Sequence, residues 1–293
     1  MKKNRATLAV ICILALIIII ATITLLNSNT SNTPQKPTPT ITSFPSSIVS
    51  NEPIQHPTFN GVPIYNYKIV QTYPHDSSAF TQGLTFDDNG NLIESTGLNG
   101  ESSLRRVNLI NGQVLQQFDL PYEYFGEGIA VVNNKIIQLT WQNKIGFIYD
   151  EKTFEPIGNF TLNTEGWGLT FDENHLIMSD GTANLYFLDP TTYQTIKSVS
   201  VQDAKGPVKN LNELEYINGY IYANIWFDSK IAVINPITGQ VEAYIDLTDI
   251  AQPYVEKNPN SVLNGIAYNT QTNQLYVTGK NWSSIYEITI LWT

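Results

Sequence analysis

Glu127 stands in the run Tyr124-Phe125-Gly126-Glu127-Gly128-Ile129-Ala130, a carboxylate between two glycines, behind an aromatic ring and at the head of an apolar strand-like segment. Burial disfavours the charged form of such a group, so its pKa rises unless partners hold the charge. A carboxyl poised near neutrality can accept a proton and return it, which is general acid–base chemistry. The framework recurs in Gln82-Gly83-Leu84-Thr85-Phe86, Trp167-Gly168-Leu169-Thr170-Phe171, Asn212-Glu213-Leu214-Glu215-Tyr216 and Asn264-Gly265-Ile266-Ala267-Tyr268. At the position before the glycine the copies read Gln82, Glu127, Trp167, Asn212 and Asn264. Glu127 is the charged member, and the chemistry is assigned to it. The competing reading makes it a structural acid that caps backbone N–H groups.

The recurrence also dictates the elements. Residues 83, 128, 168, 213 and 265 hold equivalent places, at spacings of 45, 40, 45 and 52. Each unit has a small-residue strand, a polar turn such as Asp87-Asp88-Asn89-Gly90-Asn91, and further β-type runs. Four short strands per 40 to 50 residues is the pattern of a propeller blade, and five units predict an all-β, five-bladed propeller. The fifth unit stops at a third strand, Ile285-Tyr286-Glu287-Ile288-Thr289-Ile290. The run from Tyr65 to Tyr73 resembles the fourth strands and is predicted to complete that blade, closing the ring and removing its edges.

Adjacent strands in a blade run antiparallel, so first-strand starts and second-strand ends share one mouth. Aligned second strands end on Gly97, Trp141, Gly181, Trp226 and Lys280. Three indoles, one carboxylate, one ammonium and three amides thus converge, the make-up of a small-ligand site. The alternatives are that the tryptophans fill space between blades and that Lys280 is an exposed rim charge.

Bulk properties narrow the classes. Of 293 residues 42% are apolar, enough for one large domain with attachments. Net charge is -10, and Lys2, Lys3 and Arg5 lie outside the large domain, which leaves it strongly acidic and argues against nucleic acid as a partner. Cys12 is the single cysteine, so the large domain has no disulfide and no thiol nucleophile. His56, His75 and His175 lack ligand spacing, which argues against a zinc enzyme.

Residues 6–26 carry no charge, and 21 such residues suffice to span a bilayer as a helix. With the basic residues held inside, the expected layout is a transmembrane signal-anchor (1–26), an extracytoplasmic Ser/Thr/Pro/Asn-rich linker (27–61) and the propeller (62–293). A cleaved signal peptide, giving a secreted protein, is the competing reading.

The motifs Phe80-Thr81-Gln82-Gly83-Leu84, Glu94-Ser95-Thr96-Gly97, Phe125-Gly126-Glu127-Gly128, Leu139-Thr140-Trp141, Gly166-Trp167-Gly168-Leu169, Leu211-Asn212-Glu213-Leu214-Glu215 and Leu263-Asn264-Gly265-Ile266 occur in order. In these the chain, over about residues 63–290, resembles the plant- and bacterial-type glutaminyl-peptide cyclotransferases, which are five-bladed propellers. The resemblance implies cyclisation of an N-terminal glutamine of a peptide or protein to pyroglutamate, with loss of ammonia. It places Glu127 as the acid/base, Phe80, Phe125, Trp141, Trp167 and Trp226 as pocket walls, and Gln82, Asn212 and Lys280 as polar contacts. No metal or cofactor is expected, and the protein is expected to be a monomer. Two other classes stay open: a non-catalytic cell-surface module binding peptide or glycan, and a metal-dependent lactonase-like hydrolase. The latter needs several converging carboxylates, and the ring offers Glu127 with Glu213 or Glu165.

Overall fold

A computed structural model describes residues 56–292. The expected anchor, and the expected linker as far as residue 55, lie outside the described residues. Among the described residues no helix is long and apolar enough to cross a membrane.

Ordered pairing begins ahead of the expected boundary, where β1 (Thr58–Phe59) pairs with β2 (Val62–Pro74). The first four-stranded antiparallel sheet is β3 (Thr81–Phe86), β4 (Leu92–Thr96), β5 (Ser103–Val107) and β6 (Val114–Asp119). Its first turn is fixed by Asp87, whose Oδ1 accepts the N–H groups of Asn89 and Asn91 at 2.9 and 2.8 Å. The second sheet is β7 (Gly126–Val132), β8 (Lys135–Thr140), β9 (Ile145–Asp150) and β10 (Pro156–Thr161). The third is β11 (Leu169–Phe171), β12 (Leu176–Ser179), β13 (Asn184–Leu188) and β14 (Thr195–Ser200), followed by a small hairpin, β15 (Gln202–Asp203) and β16 (Gly206–Pro207). Then come β17 (Leu211–Ile217), β18 (Tyr220–Ile225), β19 (Lys230–Ile234) and β20 (Val241–Asp246). Helix α1 (Thr248–Lys257) leads to β21 (Leu263–Asn269), β22 (Gln274–Gly279) and β23 (Ser284–Leu291).

The strand predicted to complete the last unit does so. β2 runs antiparallel to β23 from Asn66 opposite Leu291 to Pro74 opposite Ser284. Near its start it also pairs in parallel with β20, joining the last two meanders into one sheet. The innermost strands touch in a closed order, β3 to β7, β7 to β11, β11 to β17, β17 to β21 and β21 back to β3. This all-β arrangement is consistent with a β-propeller.

Burial falls outward through the first three meanders, while β20 of the fourth stays mostly buried where β2 meets it. In the first, β4 is buried along its length while β6 alternates half-buried and exposed, as expected of a strand with one face in water. The apolar core is divided between neighbouring sheets. Ile93 and Leu104 of the first pack on Ile129 and Ile136 of the second, and Leu84 and Leu92 pack on Ala267 and Tyr276 of the last. Crowding of the innermost strands explains the recurrent glycine: a Cβ on Gly128 would lie 2.5 Å from the backbone N of Leu169. Helix α1, absent from the sequence reading, occupies the longest of the spacings, the 52 residues between 213 and 265.

Candidate active site

Glu127 enters β7 one residue after its first, where the register slips between Gly126 and Ile129. Glu127 is 4% exposed. Gln82 Nε2, at the matching place on β3, donates to Glu127 Oε1 at 3.1 Å. Gln82 Oε1 in turn accepts from Asn264 Nδ2 at 3.1 Å, and the same Nδ2 donates to Thr81 O at 3.0 Å. Three of the five equivalent first-strand residues therefore form one hydrogen-bonded row.

Lys280, at the end of β22, is 4% exposed and so is not a rim charge. Burial lowers its pKa to about 8, partly offset by the negative charge of Glu127. Burial pushes the Glu127 carboxyl well above the ordinary carboxylate range; the Lys280 charge opposes this and Glu165 adds to it. A protonatable carboxyl thus faces an ammonium that is itself easily discharged.

Aromatic rings continue outward from this pair. Lys280 Nζ sits 4.7 Å over the Phe80 ring, Phe80 meets Phe125 edge-on at 6.2 Å, and Phe125 meets Trp141 at 5.6 Å. The indole N–H groups of Trp141 and Trp167 both donate to Glu165 Oε2, at 2.8 and 3.1 Å. Trp167 meets Trp226 at 5.5 Å. All five rings are partly exposed, and none is wholly buried as a core residue is. Gly97 makes room for this wall: a Cβ there would lie 2.4 Å from Phe125 Cε1 and 3.0 Å from Gln82 Cγ.

The remaining sequence candidate, Asn212, is buried at the start of β17, and its Oδ1 has no hydrogen-bond partner. The same holds for Asn264 Oδ1. Buried orphan acceptors are costly, and both atoms are closed off from solvent. Glu213 is different. Its carboxylate accepts the backbone N–H groups of Leu84 at 3.3 Å and Ile266 at 2.9 Å, tying β17 to β3 and β21. Among the described residues no three His, Cys, Asp or Glu side chains converge as metal ligands would.

Two supporting roles escaped sequence reasoning. Glu165, named there only as a possible metal-site carboxylate, orients two tryptophans; the one signal of that role is its place two residues before Trp167. Behind Phe80 and Gln82, His75 Nε2 lies 2.9 Å from Glu94 Oε1, and Nδ1 lies 2.7 Å from Trp282 O. Thr81 Oγ1 also donates to Glu94 Oε1, at 2.8 Å. Both ring nitrogens of His75 face acceptors, which calls for the imidazolium.

Comparison with known proteins matches residues 41–290 to the glutamine cyclotransferase family. The glutaminyl-peptide cyclotransferase of Arabidopsis thaliana is 38% identical over 228 residues, covering 77% of this chain and 71% of the relative. The crystal structure of Myxococcus xanthus glutaminyl cyclase is similar with a TM-score of 0.73 at 34% identity, covering 78% of this chain and 97% of that one.

Proposed function

We propose the following chemistry from the premise that this chain belongs to the glutamine cyclotransferase family. The protein is a glutaminyl-peptide cyclotransferase, converting an N-terminal glutamine to pyroglutamate with release of ammonia. Its five meanders are the blades of a five-bladed propeller, the last completed by β2.

The observation that carries the site assignment is the buried Glu127 carboxyl, held by Gln82 and raised in pKa by burial under the opposed charges of Lys280 and Glu165. Nucleophile and electrophile belong to one substrate residue, so the protein's first task is to hold the glutamine side chain curled. Phe80, Phe125, Trp141, Trp167 and Trp226 are the walls that do so, and such positioning supplies several kcal/mol, up to about 7–11 for ideal alignment. The attacking amine must be neutral, and the apolar mouth favours that form of a group whose free pKa is about 7.7–8.0.

The α-nitrogen then adds to the side-chain Cδ. The proton shed by that nitrogen passes to the Glu127 carboxylate, while the former carboxamide oxygen takes up negative charge. Lys280, cationic below pH of about 8, offers compensating charge to that oxygen. Glu127 next returns the proton to the carboxamide nitrogen, the bond from Cδ to it breaks, and ammonia leaves. One carboxyl serves both transfers because its pKa is raised toward neutrality. Gln82 holds Glu127 in place, Asn264 holds Gln82, and Asn212 completes the polar contacts of the mouth.

The test is turnover of a fluorogenic Gln-amide with a coupled aminopeptidase, with ammonia measured in parallel and EDTA present. Stoichiometric pyroglutamate and ammonia are expected; abolition by EDTA with recovery on added zinc or calcium would return the lactonase-like reading. Residues 6–26 form an anchor that places the catalytic domain outside the membrane as a monomer. Recovery of the full chain in the soluble fraction of its own cells would count against that placement.

A further inference from the structure

At the outer end of the aromatic chain two rings stand where no core requires them. Trp226 is 36% exposed and Phe227 is 59% exposed, and they pack together at 4.5 Å. Phe227 has φ +65°, in the left-handed region that bulky L-residues avoid. The second residue after the second strand has this conformation in two other blades, as Leu98 (φ +81°) and Asn281 (φ +59°), each for its own reason. Asparagine tolerates the left-handed region, and Asn281 Nδ2 is tied to Ser77 O at 3.3 Å. Leu98 is half-buried, so packing holds it. Neither reason applies to Phe227, which is exposed and aromatic. Its loop is nonetheless fixed, by Asp228 N donating to Ile225 O at 2.8 Å and by Lys230 Nζ donating to Asp228 Oδ1 at 3.0 Å. The ring is presented to solvent on a rigid mount.

The reaction gives that ring an occupant. Cyclisation uses only the first residue of the substrate, and Glu127 is buried at the inner end of the mouth. The rest of the peptide must therefore leave across the rim, with its second Cα about 3.8 Å from that of the glutamine. We propose that Phe227, with Trp226, forms the subsite for the residue that follows glutamine and that this subsite takes apolar, above all aromatic, side chains. The neighbouring charges, Asp228 and Lys230, are paired with each other, so neither selects a charged residue there. The proposal rests on the cyclotransferase reading and adds a specificity residue to it.

Matched substrates that differ only in the second residue, Gln-Phe-amide and Gln-Gly-amide, test it in wild type and Phe227→Gly. Glycine adopts the left-handed conformation freely, so the variant should melt no lower than wild type. Wild type is expected to favour Gln-Phe-amide, and Phe227→Gly to lose about fivefold to tenfold in kcat/KM on that substrate while Gln-Gly-amide is unaffected, the scale of one aromatic contact. An unchanged preference in the variant, an equal loss on both substrates, or a wild type without preference would overturn the subsite. Failure of wild type to turn over either substrate would instead strike at the cyclotransferase reading.

Discussion

Glu127 and Glu94 lie on strands that touch, β7 and β4, and both are almost wholly removed from water. Burial pushes both upward, yet they end on opposite sides of the ordinary carboxylate value. Around Glu94, the charge and hydrogen bond of His75, with Arg105 and Thr81, outweigh burial and hold the pKa down. Around Glu127, Lys280 opposes burial but does not overcome it, and Glu165 works the other way. The contrast shows that the number of partners, and not depth, separates a carboxyl that carries structure from one free to exchange a proton. His75 and Glu94 fix the Thr81–Gln82 segment; Glu127 acts at the end of it.

Substitutions can break or sharpen this contrast. The largest effect is expected from Glu127→Gln, which keeps shape and hydrogen-bonding reach but cannot exchange a proton at neutral pH. Turnover should fall at least to the upper part of the range of about 10²- to 10⁴-fold for a general acid–base group, with an unchanged melt. An active variant would remove Glu127 from the centre of the reaction. Lys280→Gln should come next, with kcat reduced about 10²- to 10³-fold as for loss of an oxyanion partner. Because the Lys280 charge lowers the Glu127 pKa, the acid limb of the kcat profile should also move to higher pH.

Glu165→Gln should move the same limb to lower pH, since the Glu165 charge raises Glu127. Its loss in turnover should be smaller, because glutamine retains an oxygen for both indole N–H groups. Glu94→Gln should have the least effect on turnover per folded molecule and act on stability, by roughly 3–5 kcal/mol for a broken buried pair. The signs set a window. Glu94 is depressed, so its contribution is present above pH 4.5 and is lost as pH falls through its folded pKa. His75 is raised, so its contribution is present below pH 6.5 and is lost as pH rises through its folded pKa. The Tm gap between wild type and Glu94→Gln should therefore be widest between pH 4.5 and 6.5. A gap independent of pH would mean that the pair is not ionic.

The repeat was legible because crowding at the centre leaves a glycine mark in four of the five units, and the missing fourth strand of the last unit pointed to β2. Helix α1 was not. Leu247 at its N-cap supplies no side-chain hydrogen bond, Pro253 lies inside it, and its buried residues are Ile250 and Ala251. At the mouth, strand alignment located Gln82, Glu127, Trp141, Trp167, Trp226 and Lys280, since strand ends share a level. Alignment gave Glu165, which sits in a loop outside the strand register, no role at the tryptophans, and Lys280 was left undecided because one lysine beside glycine carries no sign of burial. The pairing of His75 with Glu94 was equally hidden, because it crosses the seam where the last sheet meets the first.

That seam has a consequence for how the protein is made. β2 is synthesised first among the long strands, but its partner β23 lies more than 200 residues later. At about 5–20 residues per second the ribosome needs on the order of ten seconds to a minute to supply it. During that interval four meanders can assemble while the ring stays open, and β2 beyond its first residues, which β1 and later β20 engage, must wait for its antiparallel partner. Its composition suits the delay: Tyr65, Asn66, Tyr67, Lys68, Gln71 and Thr72 carry polar groups, and most of the strand is exposed or half-buried even when paired. A waiting strand that meets the open edge of a second copy can also dock there, so crowded synthesis favours strand-exchanged dimers as the off-pathway product.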